Sequence, residues 1–193
     1  MTPEMNLAEI FAIHNPLDKE CLKEVEQAAS LARVPKRSVL LRQGDVCRHF
    51  YFNRSGLMRV AHIDDGTEDT VCFGTSGDVF TSLQSYFDGS PSIFSLVALY
   101  DSEVYSISYE DLDRLSSGFP DLVLWMRNLL IEQVYAFERR YLFFGKSDAE
   151  TRYRNFISQR NGLMRDVPVK YVAQYLKIAP EYLSRIRRRI VGK

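Results

Sequence analysis

Hydrophobic residues recur along this chain in three rhythms, and each predicts a different kind of element. Over the first 33 residues Leu7, Ile10 and Phe11, then Leu22, Val25, Ala29 and Leu31, are separated by acids and lysines at helical spacing, with Pro16 dividing the stretch in two. From Val34 the texture changes to short β-prone runs broken by turn residues: SVLLRQGD, HFYFNRSGLMRVAHIDDGTEDTVCFGTSGDVF and SIFSLVALYDSEVYSIS. Strands this short, with Gly44, Gly56, Gly66, Gly74 and Gly77 at the corners, predict an antiparallel barrel or roll rather than a parallel sheet. Asp65-Gly66 predicts a tight hairpin turn between residues 57–63 and 69–73.

After Pro120 the spacing returns to three and four. Val123, Met126, Leu130, Val134, Phe137, Tyr141 and Phe144 draw one apolar stripe down a helix over 121–144 that contains neither proline nor glycine. At 1.5 Å per residue it spans roughly 36 Å. A small roll cannot cover that length, so part of the stripe is expected to meet its own copy in a parallel dimer. Gly145-Lys146-Ser147 should end the helix, Ser147 or Asp148 should cap the next one, and this polar break is the expected hinge.

Residues 169–190, VKYVAQYLKIAPEYLSRIRRRI, predict two short helices at a tight turn. Ala173 is small where two helices would cross, Val172, Leu176, Ile178, Leu183 and Ile186 supply apolar contacts, and Pro180 suits the first turn of the second helix. If Leu183, Ile186 and Ile190 face inward, Glu181, Ser184, Arg185 and Arg188 lie on the exposed face. Arginine can donate two hydrogen bonds to guanine and glutamate can accept from cytosine. Arg187 and Arg189, toward the flanks, and Lys170 suit phosphate. The outline is that of a DNA-reading helix-turn-helix. An amphipathic hairpin with solubilising arginines fits the same pattern. Lys177 stands at the turn site where glycine is usual, at a cost of about 1 kcal/mol for a left-handed conformation.

Net charge is zero, which taken alone argues against nucleic acid, but the average hides a division. From Thr151 onward eleven Lys or Arg stand against two acids, a net +9 that leaves −9 in residues 1–150. A basic segment beside an acidic body is the electrostatic pattern of a DNA-binding unit joined to something else, and it predicts salt-sensitive binding. The first residues, MTPEMNLAEIF, lack a secretory pattern, and no stretch is apolar enough to span a bilayer, so a cytoplasmic location is expected. Cys21, Cys47 and Cys72 are too widely spaced for a metal or redox pair and read as buried free thiols. His14, His49 and His62 form no metal-ligand pattern, and no nucleophile-base pair stands out; the chain does not read as an enzyme.

The order of helices, roll, long helix, hinge and helix-turn-helix resembles the Crp/Fnr family of bacterial transcription regulators over nearly the whole chain. The resemblance rests on SVLLRQGDVCRHFYFNRSGLMRV with Gly44, Asp45, Tyr51 and Gly56, on Gly77 to Phe80, and on YVAQYLKIAPEYLSRIRRRI, which looks like the form found in Bacteroidetes-type bacteria. It implies an α+β fold in three parts: an effector-binding-like roll with N-terminal helices at 1–120, a dimerisation helix at 121–145 and a DNA-binding domain at 146–193. It also implies a homodimer on palindromic double-stranded DNA, a small-molecule effector, RNA polymerase as a further partner, and Glu181 and Arg185 at the base-contacting positions.

The effector cassette departs from the cyclic-nucleotide members of that family. Where those carry a glutamate for the ribose and an arginine for the cyclic phosphate, this chain has Thr81-Ser82-Leu83 and Ser92-Ile93. A buried phosphate without an opposing charge loses several kcal/mol of pairing. Cyclic AMP is therefore disfavoured. The remaining pocket candidates, Phe80, Ser82, Leu83, Ser92 and Ile93, with Tyr86, Phe87, Phe94 and Ser85 nearby, suit an apolar ligand or a filled core. Arg48, Arg54 and Arg59 could point inward or outward. Cys21 alone cannot hold the iron–sulfur cluster of the family's oxygen sensors. Little or no β-hairpin wing is expected after Ile190, and the segment before Val169 reads as too short and helical to supply one. The competing function is a ligand-binding roll whose basic tail grips nucleic acid or protein without reading sequence.

Overall fold

In a computed structural model, which describes residues 4–159 and 167–191, the chain begins with a reciprocal cap. The Asn6 side chain accepts from the Glu9 N–H while the Glu9 carboxylate accepts from the Asn6 N–H, starting α1 (Leu7–Ala12). Asp18 caps α2 (Lys19–Ala28) by accepting from two backbone N–H groups. Ala29 is extended and ends that helix. The next residues, which sequence periodicity assigns to the helical region, form instead a strand, β1 (Ser30–Val34), paired antiparallel with β8 (Ser102–Ser108) from Ser30↔Ser106 to Val34↔Ser102. A distant partner strand overrides the local rhythm.

The roll consists of two four-stranded antiparallel sheets. One has the order β1-β8-β3-β6, with β3 at His49–Ser55 and β6 at Val79–Phe80. The other runs β2-β7-β4-β5, with β2 at Val39–Leu41, β4 at Met58–Asp64, β5 at Thr67–Gly74 and β7 at Ser95–Ala98. Asp65 and Gly66 make the β4–β5 turn, both at positive φ (45° and 75°), which matches the twist of the flanking strands. A short helix, α3 (Leu83–Asp88), lies between β6 and β7, and α4 (Tyr109–Gly118) follows β8.

Three apolar clusters hold these elements. Val34, Leu41, Cys47, Tyr51, Met58, Val60, Leu96, Ala98 and Val104 are buried together in the first. In the second, Phe50 and Phe52 from β3 meet Leu7, Ile10 and Phe11 of α1, Cys21 and Val25 of α2, and Leu122, Trp125 and Leu129 of the long helix α5 (Pro120–Lys146). Trp125 is fully buried, with ring centroids 4.6 Å from Phe11 and 5.7 Å from Phe52. Such aromatic pairs add about 0.5–1.5 kcal/mol beyond the area they bury. The third cluster joins Leu57, Phe73 and Leu99 of the roll to the C-terminal helices α6 (Ala149–Gln159), α7 (Val169–Leu176) and α8 (Pro180–Val191).

The long helix ends at Lys146, within the Gly145-Lys146-Ser147 segment. Asp148 provides the next cap, its carboxylate accepting from the Thr151 N–H at 2.8 Å. The side chains of 143–146, including Phe144 of the stripe, lie outside the described residues, as do 160–166, on which the expectation about a wing bears.

Candidate nucleic-acid interface

The helix pair α7–α8 is built as its composition demands. Val172, Ala173, Leu176, Leu183 and Ile186 are buried between the helices, with Ile178 and Ile190 partly so. Pro180 opens α8. Lys177 terminates α7 in the left-handed conformation, φ 54° and ψ 50°, and its N–H closes onto the Ala173 and Gln174 carbonyls. Its ammonium pairs with Asp69 on the β4–β5 hairpin, which offsets the cost of a side chain where glycine is usual.

The predicted reading residues divide by what holds them. Glu181, Arg185 and Arg188 are exposed, Arg185 lying 5.4 Å from the Tyr182 ring, and Tyr182, Arg185, Arg188 and Arg189 line an open groove of about 430 Å³. Ser184 is half-buried, and its hydroxyl donates to the Pro180 carbonyl at 3.0 Å. The two flanking arginines are engaged within the chain: Arg187 donates to the Tyr153 hydroxyl at 3.1 Å, and Arg189 lies 3.6 Å from Glu150. Lys170 is exposed at the start of α7, 5.9 Å from the Tyr171 ring.

On α5 the predicted stripe faces outward. Val123, Val134, Phe137 and Tyr141 are exposed, Phe137 by 69% and Tyr141 by 73%, while Met126 and Leu130 are half-buried. The side chains that bind the helix to the body are Leu122, Trp125 and Leu129, a second apolar row that the single-stripe reading left out. Ile131, Tyr135 and Leu142 widen the exposed surface.

The roll's pocket candidates divide between exposed and buried positions. Leu83 is 37% exposed and Ile93 58%, and Phe87 also faces solvent, because α3 turns its serine side inward. Ser82 caps α3 by accepting from the Ser85 N–H; the Ser85 hydroxyl donates to the Ser90 carbonyl at 2.6 Å and accepts from the Cys47 N–H at 3.2 Å; the Ser92 hydroxyl donates to the Phe94 carbonyl at 2.9 Å. Phe80 packs over Gly74, where a Cβ would come within 1.9 Å of its ring. The Thr81 hydroxyl lies 2.6 Å from that of Tyr109, whose pKa is raised by burial first and by Cys47 second. The residues at the cassette positions fit no anionic phosphate: the serines are buried, neutral and already hydrogen-bonded within the chain. Burial, aided by Asp18 and Asp121, also pushes the Cys21 thiol up to about 11, far from the thiolate needed for ligation or redox chemistry. Among the described residues no group of His, Cys, Asp and Glu could hold a metal ion, and no helix is long and apolar enough to cross a membrane.

Sequence alternation left Arg59 undecided between the inside and the outside of the roll. It leaves the roll and enters a seat for α7. Only 3% exposed, Arg59 pairs with Glu68, donates to the Thr70 hydroxyl at 3.2 Å and to the Gln174 carbonyl oxygen at 3.3 Å, and stacks 4.1 Å from the Tyr171 ring. Gln174 also accepts from Thr70 at 2.8 Å and donates to the Glu68 carbonyl at 2.6 Å. Beside them the rings of Phe73, Phe156 and Tyr175 pack at centroid distances of 5.3 to 5.9 Å. Arg140 of α5 donates to the Val71 carbonyl and lies over Tyr175. The signal for this seat was an arginine in the middle of an apolar strand; the partner, α7, could not be named from local pattern.

Residues 31–118 match the family described as the cyclic nucleotide-binding domain. The chain is similar to the fumarate and nitrate reduction regulatory protein of Vibrio cholerae, 29% identical over 165 residues that cover 79% of this chain and 65% of that protein. The corresponding protein of Escherichia coli K12 is 27% identical over the same coverage. The chain thus spans about two thirds of the length of these relatives. Among solved structures it is similar to the c-di-GMP-responsive global regulator CLP of Xanthomonas campestris, with a TM-score of 0.74 at 18% identity, covering 91% of this chain and 92% of that one. FixK2 of Bradyrhizobium japonicum gives a TM-score of 0.71 at 18% identity, covering 85% of each chain. The α+β roll with a long helix and C-terminal helices is the fold of these proteins.

Proposed function

We propose that this chain, a homologue of the Crp/Fnr-type transcription regulators, is a sequence-specific DNA-binding regulator that works as a homodimer. One observation carries the reading: α8 turns Glu181, Arg185 and Arg188 to solvent along one face while Leu183 and Ile186 fix the opposite face. Glu181 and Arg185 would meet base edges, with Ser184 and Arg188 beside them, and Arg187, Arg189 and Lys170 would meet phosphate on exchanging their present partners for DNA. Duplication through Val123, Met126, Leu130, Val134, Phe137 and Tyr141 would set two such helices about one helical turn apart on a palindrome. Labour divides accordingly among residues 1–120, 121–145 and 146–193. Its relatives are regulators, and the chain is read as non-catalytic, with RNA polymerase as the further partner. The terminal helix pair is read as the Bacteroidetes-type form of the reader.

The regulatory signal, on this reading, is not cyclic AMP. Ser82 and Ser92 stand where charge would be needed, and their hydroxyls serve the backbone around α3. Selection of DNA from a random pool, at low salt, tests the proposal: enrichment of a palindrome supports it. Equal retention of all sequences would leave only a basic surface. Thermal shift against cyclic nucleotides should give no response, and a strong one with cyclic AMP would overturn the assignment of the roll.

A further inference from the structure

We infer that Arg59 is a positioning residue for the DNA reader: the β4–β5 hairpin is a seat that holds α7, and with it α8, in the orientation used on DNA. The inference rests on the proposed DNA-binding function. It comes from a contact between two regions far apart in the chain. Arg59 and Gln174 are 115 residues apart in sequence, and Asp69 and Lys177 are 108.

Three kinds of interaction meet at the seat. A guanidinium that is almost wholly buried is costly unless paired, and here Glu68, Thr70 and Gln174 serve it in the plane while Tyr171 covers its face. Gln174 uses both ends of its amide on β5. Lys177 adds an ion pair from the turn itself, and Phe73, Phe156 and Tyr175 supply an apolar floor. Arg59 Nε is buried without a partner, but the two terminal nitrogens and both ends of the Gln174 amide are paired across the contact, which favours one register and so fixes direction as well as proximity.

The seat grips α7 and the turn and leaves the exposed face of α8 uncovered. An inhibitory clasp would bury Glu181, Arg185 or Arg188; all three are exposed. What the seat removes is freedom of the reader about the Ser147–Asp148 break. Orientation settled before DNA arrives need not be settled at its expense.

The test uses the full chain and two readouts. Amide exchange without DNA reports the seat, and binding to a selected palindrome reports its use. Arg59→Lys keeps the charge but loses the fork and the stack, Gln174→Leu keeps the volume, and Lys177→Asp reverses the turn charge. Each should raise exchange across α7 by roughly tenfold or more while β3 and β8 stay protected, and each should weaken DNA binding by roughly tenfold without changing the preferred sequence. Adding Asp69→Lys to Lys177→Asp should restore both. Unchanged exchange in α7, or DNA binding that is unaltered or tighter once the seat is broken, would overturn the inference. If the unaltered chain selects no palindrome, the proposed function falls and takes this role with it; selective binding that the variants share leaves the function standing and removes the role alone.

Discussion

The two halves of α5 have similar apolar content and opposite fates. In the first half Leu122, Trp125 and Leu129 finish their packing inside the chain, against α1, α2 and β3. Beyond Leu129 the polar side chains of Glu132 and Arg140 still reach the body, at His14 and at the Val71 carbonyl, while Val134, Phe137 and Tyr141 face solvent. A row of solvent-facing side chains of that size is the surface through which the proposed duplication would occur. A hydrophobic stripe thus reports where apolar contact is wanted. It does not report whether the chain itself supplies the other side.

Breaking each half separately should give different losses. Trp125→Ala should cost about 3–5 kcal/mol of folding stability in urea denaturation, by opening a cavity among Phe11, Phe50 and Phe52; a loss below about 1 kcal/mol would mean the first half is not the anchor. Phe137→Asp combined with Tyr141→Asp should leave monomer stability unchanged, convert a dimer to a monomer by light scattering, and weaken palindrome binding by roughly 100-fold through lost bivalency. Arg185→Ala extends the contrast to the second open surface: about 1–3 kcal/mol of DNA affinity and relaxed preference at one base pair, whereas Arg189→Ala should weaken all sequences alike. The smallest effect lies where the open half ends. The Thr151 N–H holds the Asp148 carboxyl below its usual pKa, so the cap's contribution is present above the unfolded value and is lost as pH falls through the lower, folded one. NMR of the Thr151 amide should follow that loss at acid pH, and Asp148→Asn should abolish its pH dependence.

Local chemistry made much of this legible. Asp65-Gly66, Pro180 and the 3.6-residue rhythm of 169–190 each carry their conformation in their own side chains, and the observed turn and helices follow them. What local pattern missed depended on distant partners. Ser30–Val34 became a strand only because β8 was there to pair with it. Trp125 falls outside the single stripe that the three-and-four spacing draws, on a helix that has two apolar rows. Leu83 and Ile93 stand beside Ser82 and Ser92 at the positions of the family's effector cassette, yet backbone hydrogen bonds hold the serines inward and leave the apolar side chains outside. Alternation leaves Arg59 undecided between inside and outside, and its contact with α7 is illegible without the fold.

The separation between Arg59 and Gln174 also orders events during folding. Synthesis delivers the β4–β5 hairpin long before α7, and contacts so remote in sequence are slow to close. The roll can therefore be complete when the last helices emerge, offering a ready template on which they settle. A nascent chain halted before Val169 would carry a hairpin whose Arg59 already has Glu68 and Thr70 but still lacks Gln174 and Tyr171, so the seat is finished only when the final helices are made.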